Sequence, residues 1–329
     1  MKETLIRLTG HQTLDEKEAK RILIEISQGK YNNSQVSSFL TVFMMRPITV
    51  DELEGFKNAL LELCVELDLD DYNAIDLCGT GGDNKNTFNI STLSAFVTAG
   101  SGVNVTKHGN YGVSSSCGSS NVLEYLGIKF SNEINFLKKC LDKSGICILH
   151  APLFHPAMKF VAPIRKELSL KTFFNMLGPL VNPSKPKNQM VGVYNLELLR
   201  LYSYILKNSE KRFSIIHSLD GYDEISLTGK VHIVKNDSNE ILNPSDFSFS
   251  KINQKSILGG ASIKRSAEIF MNVLKNKSTD SQKNVVIANS GLAISTAQQI
   301  SLSDGLFKAK ESIESGNALN TFETLKKLS

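Results

Sequence analysis

The residues best suited to chemistry cluster at 76–92. They read Asp76-Leu77-Cys78-Gly79-Thr80-Gly81-Gly82-Asp83, then Asn84-Lys85-Asn86-Thr87-Phe88-Asn89-Ile90-Ser91-Thr92. An apolar run, Ala74 to Cys78, leads into closely spaced glycines, and an apolar helical pattern starts at Leu93. That order predicts a strand, a glycine loop and a helix N-terminus. Glycines there let the backbone approach a ligand and adopt positive φ. Ser91 and Thr92 stand where an N-cap belongs. The first N–H groups of the helix would face the loop, which suits an anion such as a phosphate. Neither common phosphate signature fits. No Lys-Ser or Lys-Thr pair follows the glycines, and the third glycine of a dinucleotide fingerprint is replaced by Asn84. A plain glycine turn is the simpler alternative.

A second glycine-bearing turn, Lys107-His108-Gly109-Asn110-Tyr111-Gly112, follows the apolar stretch Val103 to Thr106. It lies roughly 28 residues after the first, about the length of one βαβ unit. Both turns are therefore expected at the carboxyl edge of neighbouring parallel strands. Lys107 would bring an ammonium to that rim, and Ser114, Ser115, Ser116, Ser119 and Ser120 supply hydroxyls beyond it. Asp223 and Glu224 come after the apolar stretch ending at Ser218 and the turn Asp220-Gly221. Adjacent acids suit Mg²⁺, which takes one or two carboxylates together with phosphate oxygens. An acidic turn is the simpler reading of the pair. Arg165 could clamp a carboxylate, or be a surface charge of its helix. His108 and His155 show no metal spacing, and no G-x-S-x-G elbow supports a serine hydrolase.

The elements that must hold these residues follow from pattern. Residues 1–70 read as helices only, a small all-α unit. Leu14 to Gln28 is amphipathic with Ala19, Ile22, Leu23 and Ile26 on one face. Ser34 is expected to cap a helix to Met45, and Thr49 one from Glu52 to Leu67. From Ala74 short apolar runs alternate with helices, which argues for a parallel sheet with crossover helices. The expected strands are Ala74 to Cys78, Val103 to Lys107, Ile146 to His150, Met190 to Val193 and Phe213 to Ser218, with short antiparallel strands over 223–255. Residues 156–182 look helical with a break at Gly178-Pro179, and the chain is helical from Ser262. The fold class is α/β: a small all-α domain (1–70) and a larger α/β domain (71–329) with a mostly parallel central sheet.

With 41% hydrophobic and 21% charged residues over 329 positions, the composition is that of a globular enzyme. A net charge of +4 is too small to suggest a nucleic-acid partner. No apolar run approaches the ~18 residues of a membrane span. The five cysteines contain no C-x-x-C pair, and Cys64, Cys78, Cys140 and Cys147, in apolar surroundings, read as reduced core residues of a cytoplasmic protein. The N-terminal stretch, with Lys2, Glu3 and Arg7, is not a signal peptide.

Several long motifs in order resemble anthranilate phosphoribosyltransferase, the enzyme of the second step of tryptophan biosynthesis. They are Gly79-Thr80-Gly81-Gly82-Asp83, Phe88-Asn89-Ile90-Ser91-Thr92, Lys107-His108-Gly109-Asn110 and His155-Pro156-Ala157-Met158. Arg165, Phe174-Asn175, Leu177-Gly178-Pro179-Leu180, Asp220-Gly221-Tyr222-Asp223-Glu224-Ile225-Ser226, Leu258-Gly259-Gly260 and Glu311-Ser312-Ile313 continue the match. The resemblance implies that helices from about 157–182 pack on the small α domain, a homodimer formed through that domain, and transfer of phosphoribose from phosphoribosyl pyrophosphate to anthranilate. It implies donor binding by Gly79, Gly82, Asp83, Thr87, Asn89, Ile90, Ser91, Thr92, Lys107, His108, Gly109, Asn110, Tyr111, Gly112, Val113, Ser114, Ser115 and Ser119. Gly79, Asn110 and Arg165 would place anthranilate. Ser91, Asp223 and Glu224 would hold one or two Mg²⁺.

Two positions depart from the family pattern. Tyr111-Gly112 stands where Arg-Ser is usual, and Lys171 where Arg is usual. A pyrimidine nucleoside phosphorylase shares the architecture but lacks Lys-His-Gly-Asn in its second loop. A silent relative that binds nucleic acid would have lost the metal acids and carry a strong basic patch. This chain keeps Asp223-Glu224.

Overall fold

The computed structural model describes residues 1–112 and 117–329. The chain divides into two units, Met1–Glu66 with Ala151–Pro183, and Leu67–His150 with Ser184–Ser329.

The first unit is helical. Helix Glu16–Ser27 is capped by Asp15 and buries the expected Ala19, Ile22, Leu23 and Ile26. The next helix, Asn33–Met45, starts earlier than expected. Asn32, not Ser34, is its cap, and Gln35 completes a capping box. Thr49 caps Val50–Glu62 as expected, again with a capping box through Glu52. That helix ends before Leu67 because the Val65 N–H leaves it for the Phe154 carbonyl at 2.8 Å. Helix Lys2–Thr9 precedes them all. Residues 151–180 form short α and 3₁₀ turns rather than long helices.

Aromatic edges knit this unit. Phe39, Phe43 and Phe56 meet edge-on, and Phe56 stacks on Phe173 at 4.3 Å. Beside them Arg46 grips the buried Glu52 through both terminal guanidinium nitrogens, at 2.9 and 2.5 Å. Burial raises the Glu52 pKa. Bonds from Arg46 and from the Thr49 and Leu14 N–H groups outweigh it and hold the carboxyl below its usual range.

The second unit is built on one sheet. Its strands are β1 (Ile75–Gly79), β2 (Val105–Gly109), β3 (Ile146–His150), β4 (Asn188–Gly192), β5 (Arg212–Ser218), β6 (Val231–Lys235) and β7 (Asn239–Leu242). Their order is β3-β2-β1-β4-β5-β6-β7, parallel from β3 to β5 and antiparallel beyond. The fold class is thus as expected, a helical unit plus an α/β unit with a mostly parallel sheet. Antiparallel strands occupy less of 223–255 than the alternation suggested. Helices Ile90–Gly100 and Asp280–Gln298 pack together, both buried over most of their length. Among the described residues no helix is long and apolar enough to cross a membrane.

The chain order reverses between β1 and β4. In an open α/β sheet the crevice beyond the strand ends at such a switch point is where ligands bind. The register pairs Gly79, the last residue of β1, with Gly192, the last of β4.

Removing Arg46 leaves Glu52 charged and buried without its partner. Arg46→Ala should destabilise the helical unit by about 3–5 kcal/mol, read as a lower denaturant midpoint. An unchanged midpoint would show that water replaces the guanidinium.

Candidate active site

Gly79 and Gly192 make the switch point passable. A Cβ on Gly79 would lie 2.4 Å from Asp223 Oδ2, and one on Gly192 only 1.6 Å from the Asp223 carbonyl oxygen. The turn that carries Asp223 and Glu224 therefore rests directly on the ends of β1 and β4. Gly192 was not singled out from sequence, since one glycine at a strand end carries no local signal of what crosses it.

The first loop meets this turn. Its backbone has positive φ at Gly81, Gly82, Asn84 and Asn86. The Gly81 N–H donates to Asp223 Oδ2 at 2.7 Å. Thr87 bridges Leu258, and the Phe88 N–H donates to the Ile257 carbonyl at 3.2 Å, so the Leu258-Gly259-Gly260 segment braces the loop. Lys85 places its ammonium 4.8 Å from the centre of the Tyr222 ring. Thr80 Oγ1 is buried without a hydrogen-bond partner among the described residues.

The helix after the loop begins at Ile90, three residues before the expected Leu93. Asn89 occupies the N-cap position, but its side chain reaches Cys117 O at 3.2 Å instead of capping. Ser91 and Thr92 lie in the first turn, not at the cap. The Ser91 N–H is met by Glu224 Oε1 at 3.1 Å. A carboxylate distant in sequence thus serves the helix end, which a local capping rule cannot foresee.

The second motif sits deeper than expected. Strand β2 runs through Gly109, so Lys107, His108 and Gly109 are strand residues and the loop starts at Asn110. Lys107 is 2% exposed, and its Nζ donates to the Leu77 carbonyl of β1 at 2.6 Å. Its charge lies inside the sheet, not at the rim. The His108 N–H donates to the buried Asp76 at 3.2 Å. Ser119 Oγ donates to the Asn110 carbonyl at 3.2 Å. Asn121 Oδ1 accepts from both Gly112 N and Gly118 N at 3.0 Å, joining the loop's two ends. Tyr111 leans edge-on against His150, its hydroxyl 3.4 Å from Glu124. Val113, Ser114, Ser115 and Ser116 lie outside the described residues.

Asp223 and Glu224 are both buried. Burial, then the charges of Asp83 and Glu224, push the Asp223 carboxyl well above its usual range. Burial also pushes Glu224 up to about 7, opposed first by Lys107 and then by Ser91. Among the described residues no group of three or more His, Cys, Asp or Glu forms a closed metal cage. Two crowded carboxylates fit a hard divalent cation whose remaining ligands are water and ligand oxygens.

Arg165 belongs to the helical unit, on Ala162–Leu168. Its Nη2 donates to Asn175 Oδ1 at 3.2 Å, and its guanidinium lies 5.1 Å from the Phe174 ring centre. Partial burial lowers its pKa, and Nε has no partner among the described residues. It is a held cation, not a solvated surface charge. Lys171 is exposed.

Comparison with known proteins gives concordant matches. The "Glycosyl transferase family, a/b domain" profile matches residues 71–319, and the "Glycosyl transferase family, helical bundle domain" profile matches residues 2–64. The anthranilate phosphoribosyltransferase of Christiangramia forsetii is 60% identical over 329 residues, covering 100% of this chain and 99% of that protein. That of Flavobacterium psychrophilum is also 60% identical, covering 100% of each. The chain belongs to the anthranilate phosphoribosyltransferase family. It is a pentosyltransferase of tryptophan biosynthesis. The fold agrees with solved members. The Thermus thermophilus enzyme superposes with a TM-score of 0.91 at 29% identity, covering 98% of both chains. The Saccharomyces cerevisiae enzyme in complex with PRPP and Mg also gives 0.91, at 28% identity, covering 100% of this chain and 98% of that one.

Gly192→Ala should push the acidic turn off the strand ends. Hydrogen exchange at the Gly81 and Ser91 amides should then accelerate, because their carboxylate acceptors move away. Unchanged protection would show that the turn is held without this close approach.

Proposed function

We propose that the switch point of the α/β unit is a phosphoribosyl pyrophosphate site, and that the chain transfers its 5-phosphoribosyl group to the amine of anthranilate. The C1–O bond to pyrophosphate breaks, a C1–N bond forms, and the amine proton leaves to solvent. The products are N-(5-phosphoribosyl)anthranilate and pyrophosphate. The carrying observation is the burial of Asp223 and Glu224 against the first glycine loop and the helix N-terminus.

In this reading Gly79, Gly82, Asp83, Thr87, Asn89, Ile90 and Thr92 of the first loop and helix start bind the donor. Gly109, Asn110, Tyr111, Gly112, Val113, Ser114, Ser115 and Ser119 bind it from the second motif, and Lys107 and His108 support it from within β2. Ser91, Asp223 and Glu224 hold one or two Mg²⁺. The ion, when bound, neutralises charge on the pyrophosphate leaving group. Lys107 favours the ionised form of Glu224 from within the sheet. Arg165, Gly79 and Asn110 place anthranilate, with the part-buried guanidinium suited to its carboxylate. The aromatic amine is already nucleophilic, so positioning and charge stabilisation carry the rate. A homodimer through the helical unit belongs to the same reading. Ile6 and Met45, 62% and 81% exposed there, are apolar surface that a partner would cover.

The direct experiment mixes the purified chain with anthranilate, donor and Mg²⁺ and follows anthranilate fluorescence. Its decay supports the reading, and persistence with all three present refutes it.

Asp223→Asn with Glu224→Gln should abolish Mg²⁺-dependent turnover in a folded protein. In the wild type, lowering the pH through about 7 protonates Glu224 and removes a ligand. The Mg²⁺ concentration for half-maximal rate should therefore rise as the pH falls from about 8 to about 6. A flat Mg²⁺ requirement across that range would count against Glu224 as a ligand.

Arg165→Ala should raise the KM for anthranilate about ten- to a hundredfold, the loss of a charge-assisted hydrogen bond worth roughly 1.5–3 kcal/mol. The KM for the donor should change little. Equal effects on both substrates would make Arg165 structural.

A further inference from the structure

Asp223 and Glu224 lie on a stretch without regular secondary structure, between the end of β5 and the start of β6. Such a stretch keeps one shape only if its peptide groups find partners outside it. The residue immediately after Glu224 is Ile225. Its N–H donates to Asn289 Oδ1 at 3.0 Å, and its carbonyl accepts from Asn289 Nδ2 at 2.9 Å. One side-chain amide thus does what a neighbouring strand would do. The same Nδ2 donates to the Val285 carbonyl of its own helix at 2.8 Å, which fixes the orientation of the amide.

Asn289 is 0% exposed, in the middle of the helix Asp280–Gln298 and among the apolar Val285, Val286, Leu292 and Ala293. Asparagine is a weak helix former, and a buried amide is costly unless satisfied. Here its donors and its acceptor are all used. Aspartate has no donor for the Ile225 and Val285 carbonyls. Glutamine carries its amide one methylene further, and alanine leaves the Ile225 peptide group unpaired. A second tether comes from Ser218, whose Oγ donates to the Glu224 carbonyl at 2.6 Å. Both tethers act on the backbone that flanks the carboxylates and occupy no carboxylate oxygen.

We propose that Asn289 is a positioning residue for the Asp223–Glu224 pair, holding both carboxylates at the switch point through the Ile225 peptide group. The proposal rests on the reading that these carboxylates hold the divalent cation. Groups that orient metal ligands change metal affinity roughly ten- to a hundredfold when removed.

The test is Mn²⁺ binding to the full chain in the presence of pyrophosphate, measured by calorimetry alongside the unfolding midpoint. Asn289→Asp and Asn289→Ala should each weaken Mn²⁺ binding roughly ten- to a hundredfold. Val286→Ala, a truncation on the same helix, should lower the midpoint and leave Mn²⁺ affinity at the wild-type value. If neither Asn289 variant folds, Ser218→Ala removes the other tether and must reproduce the weakening. Wild-type affinity in that variant would then overturn the proposal. Asp223→Asn with Glu224→Gln separates the two claims. If that double variant loses Mn²⁺ while Asn289→Asp or Asn289→Ala binds as the wild type does, Asn289 is structural only. Equal weakening by Val286→Ala would likewise make Asn289 structural only. If the double variant binds Mn²⁺ normally, the metal assignment fails and takes the proposal with it.

Discussion

Strands β1 and β4 end side by side on Gly79 and Gly192, and the acidic turn lies across both ends. The contact leaves no space for a side chain at either position. It brings Asp223 within hydrogen-bond reach of the first loop, and Glu224 within reach of the helix that follows that loop. Two carboxylates are thereby buried where the sheet's connectivity opens a crevice. The glycine loop, the helix start and the braces from Leu258 to Gly260 and Asn289 are arranged around that crossing.

The crossing has an electrostatic consequence. Burial first, and then the nearby Asp83, disfavours full ionisation, and both pKa values move up. The protein offsets part of this with fixed positive potential: the Gly81 N–H, the helix end at Ser91 and the buried Lys107 ammonium. The remainder is what a divalent cation would supply. Lys107 thus matters as an internal counter-charge under the turn, which differs from a lysine waiting at a loop rim. Tyr111, which replaces the usual arginine, rests its ring edge-on against His150 with its hydroxyl toward Glu124.

The alternation of short apolar runs with helices made the parallel sheet legible, because period and crossover length are local properties. The glycine loop, the Lys107–Asn110 motif, the acidic pair and Arg165 were legible as types and spacings. The exact starts of elements were not. The helix expected at Leu93 begins at Ile90 because Glu224, far along the chain, satisfies the Ser91 N–H. Asn32 outcompetes Ser34 as a cap through a reciprocal bond with Gln35. Gly192 and Asn289 were invisible for one reason. Each acts on backbone brought near by the fold, and a lone glycine or asparagine carries no local sign of that.

The most direct measurement is a crystal structure of the chain grown with Mn²⁺ and pyrophosphate, with the ion located by its anomalous scattering. The ion should lie within about 2.5 Å of carboxylate oxygens of Asp223 or Glu224 and of a pyrophosphate oxygen, above the ends of β1 and β4. An ion bound to pyrophosphate but away from both carboxylates would contradict the account.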